Sequence, residues 1–157
     1  MLGALFPGSF DPVTNGHLDL IGRLCRIADR VVVGVAVNPD KQPMIAEAER
    51  VALLQESCQA WPQVEVVAFR GLVVEAARRL EVNVIVRGIR NSEEYHREAQ
   101  MAQMNRAMTG VETLLLPASA EWAFVSSSLI REITRFGGDV SAYVPPAVGA
   151  RLRMYYP

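Results

Sequence analysis

The chain lacks the features that mark several large classes of protein. It has only two cysteines, Cys25 and Cys58, and they form no C-x-x-C pair, so the sequence predicts two buried thiols and neither a disulfide scaffold nor a cysteine zinc site. No run approaches the roughly 18 consecutive apolar residues that a membrane span needs. No basic segment followed by an apolar stretch opens the chain. We therefore expect a cytoplasmic protein with no membrane partner.

A surplus of positive charge is also missing. The formal net charge is −1 and the pI is about 6.1, which does not indicate a broad surface for nucleic acid, and we expect no such partner. Any phosphate ligand must then be bound by positively charged side chains gathered at one site. With 157 residues, half of them hydrophobic, the chain is long enough to bury a sizeable core. We expect a single domain over residues 1–157.

Short apolar runs alternate with helical patterns along the chain. The runs predict five strands at residues 2–6, 31–37, 64–68, 82–86 and 111–116, and apolar spacing predicts helices from residue 18 and over 46–60, 72–80, 92–108 and 129–136. This alternation predicts a Rossmann-like α/β fold, a doubly wound five-stranded parallel sheet. Ligands of such sheets bind beyond the carboxyl ends of the strands, where strand order reverses. We expect the loops after strands one and four to share a site.

The pattern weakens after Gly138. Val148, Leu152 and Tyr155 predict one last short helix. This tail either packs on a neighbouring subunit or covers the core of its own chain, and the sequence leaves both alternatives open.

The stretch over residues 6–17, FPGSFDPVTNGH, joins the first strand to the first helix. Its glycines allow close approach of a ligand to the backbone, and the helix N-terminus offers an anion site. It matches neither G-x-G-x-x-G nor the Walker A pattern. Thr14 as a helix N-cap explains the stretch without any function. His17, in the first turn, is also placed to donate a hydrogen bond to a phosphate that gains charge during a reaction.

Two further segments carry phosphate-binding chemistry. Arg87 ends a buried strand, where a lone guanidinium is costly unless an anion pairs with it, and Arg90 follows in the segment R-G-I-R. Arginine suits phosphate because its planar fork donates two hydrogen bonds at once. Three serines precede the helix at residue 129, either as a polar cap or as a phosphate site.

These segments together resemble the nucleotidylyltransferase superfamily, and specifically the bacterial phosphopantetheine adenylyltransferases. The resemblance rests on P-G-S-F-D-P with T-x-G-H at residues 7–17, on R-G-I-R at 87–90, and on W-A-F-V-S-S-S-L-I-R at 122–131. The T-x-G-H element alone is short, but its longer form is much more specific. The three motifs stand in order at suitable separations and span nearly the full chain.

The resemblance implies roles for individual residues. Catalytic roles fall to His17, Lys41 and Arg90, and binding of phosphopantetheine falls to Ser9, Lys41, Val73 and Arg87. Binding of ATP is implied for a larger set: Ser9, Phe10, His17, Gly88, Ile89, Arg90, Glu98, Trp122, Ala123, Phe124, Val125, Ser126, Ser127 and Ser128.

Several of these residues also have a simpler interpretation. Lys41 lies in a loop where most lysines are merely solvated, and Val73 fits equally well as a core valine. Arg131 either adds charge to the site or lies on the helix surface. Family members commonly have an aromatic residue before the glutamate that corresponds to Glu98, whereas this chain has Arg97.

The resemblance implies the reaction of ATP with 4′-phosphopantetheine to give 3′-dephospho-coenzyme A and pyrophosphate, the penultimate step of coenzyme A synthesis. It also implies Mg²⁺ held mainly by ATP phosphates, with no protein ligand, and a homohexamer. The sequence shows no activated Ser or Cys with a His and acid partner, which favours direct in-line attack without a covalent intermediate. Two alternatives remain: an adenylyl- or cytidylyltransferase for another phosphorylated acceptor, such as nicotinamide mononucleotide or glycerol 3-phosphate, and a non-catalytic nucleotide-binding module on the same scaffold.

Overall fold

The computed structural model describes all residues from 1 to 157. Five strands and six helices follow one another along the chain. In order they are β1 (Gly3–Gly8), α1 (Asn15–Leu24), β2 (Arg30–Ala36), α2 (Glu47–Ser57), β3 (Val64–Phe69), α3 (Val73–Arg79), β4 (Val84–Ile89), α4 (Ser92–Thr109), β5 (Glu112–Pro117), α5 (Ser127–Arg135) and α6 (Pro146–Tyr155).

The five strands form one parallel sheet in the order β3-β2-β1-β4-β5. β1 lies at the centre, and the chain builds outward from it first through β2 and β3 and then through β4 and β5. Strand order therefore reverses between β1 and β4. This arrangement confirms the predicted Rossmann-like, doubly wound five-stranded sheet and places the expected ligand position at the carboxyl ends of these two strands.

Alternate side chains of the central strands enter two separate cores. Phe6 and Val33 belong to the larger cluster, which the apolar faces of α1, α2, α5 and α6 complete. Leu5 and Val32 belong to the smaller cluster, together with residues of α3. Because both faces of β1 and β2 are covered, these strands are apolar at nearly every position, as parallel strands are expected to be.

The start of α1 agrees with the predicted Thr14 cap, whereas the bounds of β4 differ from the prediction. α1 begins at Asn15, directly after Thr14, and its first turn precedes the apolar spacing that starts at Leu18. β4 begins at Val84 and continues through Ile89, because its pairing with β5 extends along R-G-I at residues 87–89. These residues thus belong to the strand and do not follow it.

The tail covers the core of its own chain. Val140, Val144, Val148 and Leu152 are all buried in the larger cluster, so this is the alternative that the structure supports. Glu49 on α2 also accepts a hydrogen bond from the Tyr155 hydroxyl at 2.6 Å. α6 is therefore fixed to α2 by both apolar and polar contacts.

None of the six helices combines the length and the apolarity that crossing a membrane requires. Of the two thiols, Cys58 is buried as predicted, whereas Cys25 is partly exposed. Burial raises the pKa of both thiols, and that of Cys58 rises to about 11.

We predict that Leu152→Ala destabilises the isolated chain by about 2–5 kcal/mol, because it removes a fully buried side chain and leaves a cavity. Urea unfolding measures the change. The matched control is Met154→Ala on the same helix, whose side chain is 71% exposed and should change stability by less than about 0.5 kcal/mol. Equal effects of the two substitutions would show that the tail does not belong to this core.

Candidate functional site

A cavity of about 400 Å³ opens at the carboxyl ends of β1 and β4. Its walls come from the loop after β1, the first turns of α1 and α4, and the segment before α5. Most of the predicted site residues line it: Ser9, Phe10, His17, Lys41, Arg87, Gly88, Arg90, Glu98, Trp122, Val125, Ser126, Ser127 and Ser128. The fold therefore brings most of the predicted residues together at one cavity.

Four predicted residues do not line this cavity. Val73 is the first residue of α3 and packs against the smaller core cluster. Phe124 is 61% exposed and meets Tyr143 edge-on. Ile89 ends β4, and Ala123 lies in the turn before α5. Their ligand contacts stay predictions.

A second cavity, of about 430 Å³, lies between the end of α5 and α6. Arg153 and Asp139 are its charged lining residues. Because many more charged and polar groups converge in the first cavity, we take that one as the candidate site.

The loop after β1 is fixed by hydrogen bonds of two buried side chains, Asp11 and Arg50. The Asp11 carboxylate accepts from the backbone N–H groups of Met44 and Ile45 at 2.9 and 2.8 Å. Arg50, which is 5% exposed, donates to the carbonyl of Ser9 at 2.7 Å. Phe10 is buried in the left-handed region with φ 46°. Contacts on several sides thus fix a backbone conformation that a phenylalanine rarely adopts.

His17 is held in a reciprocal capping arrangement with Thr14. The Thr14 side chain accepts from the His17 backbone N–H at 3.3 Å, and His17 Nδ1 accepts from the Thr14 backbone N–H at 3.0 Å. Because Nδ1 accepts a hydrogen bond, the neutral ring carries its proton on Nε2. The ring also packs edge-on against Phe10 at 4.9 Å. The helix start therefore fixes both the orientation and the tautomer of the imidazole.

The electrostatic environment keeps this imidazole neutral. Burial, followed by the positive charges of Arg90 and Arg87, lowers the pKa of His17 from its ordinary 6.5 to about 4. A neutral ring still donates a hydrogen bond through Nε2. It can therefore stabilise developing negative charge without carrying a positive charge itself.

Arg87, on β4, forms an ion pair with Glu98 on α4. Its Nε and Nη2 donate to the two carboxylate oxygens of Glu98 at 3.1 and 2.9 Å, and its Nη1 donates to the carbonyl of Pro7 at 2.8 Å. The anion that a strand-end guanidinium needs is thus present within the chain. Glu98, predicted to bind ATP, makes its hydrogen bonds to Arg87.

Arg90 is paired in a similar way one turn closer to the start of α4. Its Nε and Nη2 donate to Glu94 Oε1, and its Nη1 donates to the carbonyl of Val125 at 3.1 Å. Glu94 Oε2 accepts from the Arg90 backbone N–H at 2.9 Å. The Arg90 side chain therefore spans the cavity wall from α4 to the segment before α5.

The serines at the start of α5 use their hydroxyls inside the protein. Ser126 Oγ caps the helix by accepting from the Leu129 N–H, Ser127 Oγ donates to the carbonyl of Pro12, and Ser128 Oγ lies 3.2 Å from Arg131 Nη2. The backbone N–H groups of Ser127 and Ser128 have no partner in the protein. These N–H groups, at the positive end of the helix dipole, form the anion site that α5 offers.

Lys41 and Arg97 line the cavity and are exposed. Neither side chain makes an ion pair or a hydrogen bond within the chain. They are therefore the two cations of the cavity with no polar partner in the chain.

Sequence reasoning missed Glu94 as a site residue. A signal was present, because Glu94 stands in the first turn of the predicted helix, only four residues after Arg90, and can pair with it. Asn91 caps α4 by accepting from the Glu94 N–H at 2.9 Å, the pattern of a polar cap followed three residues later by glutamate. Arg131 does more than lie on the helix surface, because it lines the cavity and donates to the Asp11 carbonyl at 2.7 Å.

The cavity carries a surplus of positive charge. Its five lining cations, Lys41, Arg87, Arg90, Arg97 and Arg131, outnumber the two carboxylates of Glu94 and Glu98. The open N–H groups of α5 add to this surplus. No three His, Cys, Asp or Glu side chains anywhere in the chain are grouped as a metal site. The arrangement fits a ligand with several phosphate charges.

Comparison with known proteins agrees with this chemistry. The family model described as cytidylyltransferase-like matches residues 5–133. The chain is 48% identical to the phosphopantetheine adenylyltransferase of Nocardioides sp. over 98% of its own length and 96% of that protein. It is 49% identical to the phosphopantetheine adenylyltransferase of Methylococcus capsulatus, over 95% of its own length and 93% of that protein.

Solved structures support the fold at lower identity. A structure from Vibrio parahaemolyticus, described as a candidate nicotinate-nucleotide adenylyltransferase, superposes with a TM-score of 0.71 at 19% identity, covering 98% of this chain and 99% of that one. A lipopolysaccharide core biosynthesis protein from Thermoplasma volcanium superposes with a TM-score of 0.55 at 22% identity, covering 76% of this chain and 97% of that one. At these identities the likeness shows the fold alone.

We predict that the His17 ring stays neutral until the pH falls to about 4. NMR titration of the ring signals measures this, with His96→Gln used to assign the two histidines. The unfolded chain takes up this proton near pH 6.5, so stability is fully present above that pH and is lost as the pH falls toward 4. His17→Asn should reduce this loss in urea unfolding, whereas a ring that titrates near 6.5 would contradict the prediction.

Proposed function

The chain belongs to the cytidylyltransferase-like family and, within it, to the phosphopantetheine adenylyltransferases, and from that premise we propose that it transfers the adenylyl group of ATP to 4′-phosphopantetheine. The products are 3′-dephospho-coenzyme A and pyrophosphate, and the reaction is the penultimate step of coenzyme A synthesis. The similarity over nearly the whole chain supports both the reaction and the acceptor. We place this reaction in the cytoplasm, as expected from the sequence.

The observation that carries the proposal is the convergence of phosphate-binding groups on one cavity. A neutral, oriented histidine, a free lysine and two strand-end arginines all line the space where strand order reverses. A module that only senses a nucleotide must bind it tightly. It does not need a histidine such as His17, whose tautomer is fixed so that it donates a hydrogen bond, beside a flexible side chain such as that of Lys41. This combination favours an enzyme over the non-catalytic alternative.

The chemistry that we propose is a direct in-line displacement. The phosphate of phosphopantetheine attacks the α-phosphorus of ATP, the bond from that phosphorus to the bridging oxygen breaks, and pyrophosphate leaves. His17 donates through Nε2 to the oxygens that gain charge, while Lys41 and Arg90 stabilise the phosphates. Ser9 and Arg87 bind the acceptor phosphate, and the start of α5 binds the departing phosphates.

Mg²⁺ fits this site as an ion carried by the nucleotide. The carboxylates of the cavity, Glu94 and Glu98, are each paired with an arginine, so the protein offers no cage of free carboxylates. Mg²⁺ is commonly held by phosphate oxygens and water with few protein ligands. When bound, the ion neutralises part of the triphosphate charge.

The test is to incubate the purified protein with ATP, Mg²⁺ and 4′-phosphopantetheine and to identify the products by mass spectrometry beside a pyrophosphate assay. Dephospho-coenzyme A with equimolar pyrophosphate supports the proposal. Pyrophosphate that appears only with nicotinamide mononucleotide or glycerol 3-phosphate would reassign the acceptor. ATP binding without any product would favour the non-catalytic alternative.

The same assay tests the role of His17. His17→Ala should lower kcat by about 10²–10³-fold, because it removes a donor to the transition state, while the Kd for ATP changes far less. The control is His96→Ala, the other histidine, which does not line the cavity and should leave kcat unchanged. Wild-type turnover of His17→Ala would remove His17 from the chemistry.

We also propose that the chain assembles as a homohexamer, as the family resemblance implies. α4 supports this, because Met101, Met104 and Met108 stand on one side of the helix and are each more than half exposed. Leu114 on the neighbouring edge strand is 45% exposed. Apolar side chains gathered on one exposed face are typical of a surface that another subunit covers.

Light scattering coupled to size exclusion tests the assembly. The wild-type chain should elute with the mass of six copies, and Met104→Glu should shift it to smaller species because it places a charge in the proposed contact. Met154→Glu, at an exposed methionine on α6, should leave the mass unchanged. A monomeric wild type at working concentration would contradict the proposal.

A further inference from the structure

Arg87 and Arg90 make the same pattern of hydrogen bonds to the rest of the protein. Each uses Nε and Nη2 on a carboxylate of α4, and each uses one Nη1 hydrogen on a backbone carbonyl of the cavity wall. The carboxylates, Glu94 and Glu98, stand four residues apart on α4, so they lie on one face of the helix. This repeated arrangement indicates that α4 does more than close the fold.

The number of N–H hydrogens on Arg90 shows how many remain for a ligand once its hydrogen bonds within the protein are made. A guanidinium has five N–H hydrogens. Arg90 uses three of them, on Nε, Nη2 and Nη1, for Glu94 and Val125. One hydrogen on each terminal nitrogen remains, so Nη1 and Nη2 can each still donate to a phosphate oxygen. Glu94 therefore pairs with the Nε and Nη2 edge of Arg90 and leaves one hydrogen on each terminal nitrogen unpaired.

Glu94 is itself firmly placed. It stands in the first turn of α4, its backbone N–H is capped by Asn91 at 2.9 Å, and its side chain is 15% exposed. Burial alone would raise the pKa of Glu94, but the hydrogen bonds from the Arg90 side chain and backbone, with the charges of Arg90 and Arg97, outweigh it and hold that pKa below its ordinary value. The carboxylate is thus charged at neutral pH and faces Arg90 from a rigid position.

We propose that Glu94 is a positioning residue for the reaction: it fixes Arg90 so that the unpaired hydrogens of its terminal nitrogens meet the nucleotide phosphates. This inference rests on the proposed adenylyl transfer and adds a residue to which neither the sequence motifs nor the comparisons give a role. A free arginine side chain samples many rotamers, and ordering it on binding costs free energy. Glu94 orders Arg90 before the nucleotide arrives.

The opposite role for Glu94 is physically reasonable and gives the opposite result. A carboxylate beside a polyphosphate repels it, so Glu94 would then compete with ATP for Arg90, and its removal would strengthen binding. The hydrogen bonds favour positioning, because Glu94 holds both the Nε and Nη2 edge and the backbone N–H of Arg90 and leaves one hydrogen on each terminal nitrogen for a ligand.

A double-mutant cycle tests the inference. Glu94→Gln keeps the shape of the side chain and removes its charge, and it should lower kcat/KM for ATP by about tenfold or more, up to about 10²-fold for a misplaced group. In an Arg90→Ala background the same change should cost less than about twofold, because Glu94 then has nothing to position. The matched control is Glu93→Gln, the neighbouring exposed carboxylate of the same turn, which should leave kcat/KM unchanged.

Two results would overturn the inference. Equal losses from Glu94→Gln with and without Arg90 would show that Glu94 acts only through the structure of α4. Tighter ATP binding by Glu94→Gln would show that the carboxylate competes with the ligand. Thermal unfolding confirms that each variant is folded. If Glu94→Gln does not fold, the same double-mutant cycle is measured with Glu94→Asp.

Equilibrium titration with ATP and Mg²⁺ separates this inference from the proposed function. The cycle is repeated on the Kd for ATP, which needs no turnover. If the wild type forms no product but Glu94→Gln weakens ATP binding only when Arg90 is present, adenylyl transfer is wrong and the positioning role stands. If the wild type is active and the cycle is additive, the positioning role alone is wrong.

Discussion

The structure depends on the pairing of β1 with two strands at once. Leu5 on β1 lies opposite Val32 on one side and Ile85 on the other, and both faces of β1 are buried. Such a strand has no room for polar side chains before its carboxyl end, because its side chains are buried on both faces. The first loop with freedom to bind a ligand therefore follows Gly8, directly beside the end of β4. The hydrophobic constraint on β1 thus decides where the polar chemistry collects.

Charge at this position is arranged so that the cations need no ligand to be stable. A buried or half-buried guanidinium without an anion is costly, and α4 removes this cost for Arg87 and Arg90 through two glutamates. Lys41 and Arg97 stay in solvent, where a free cation costs little. The cavity is therefore folded and positive at the same time. Its paired cations, Arg87 and Arg90, are fixed by the fold, and its exposed cations, Lys41 and Arg97, add charge.

The sequence predicted the sheet, its parallel order of elements and most of the cavity, because these follow from apolar periodicity and from motifs that stand at strand ends. It did not predict that R-G-I at residues 87–89 lies inside β4, since strand pairing with β5 is a tertiary contact. The resemblance also implied ligand contacts for Val73 and Phe124. In the chain alone one packs on the core and the other faces solvent, and their ligand contacts stay predictions.

The neutral state of His17 is the clearest consequence that only the fold reveals. From sequence, an imidazole at a helix start can be charged or neutral. The structure decides this, because Nδ1 accepts the Thr14 N–H and two arginines lie near the ring. A neutral donor among fixed cations leaves the positive charge to groups that cannot lose a proton at neutral pH. The proposed reaction therefore assigns charge stabilisation to the arginines and directional hydrogen bonding to the histidine.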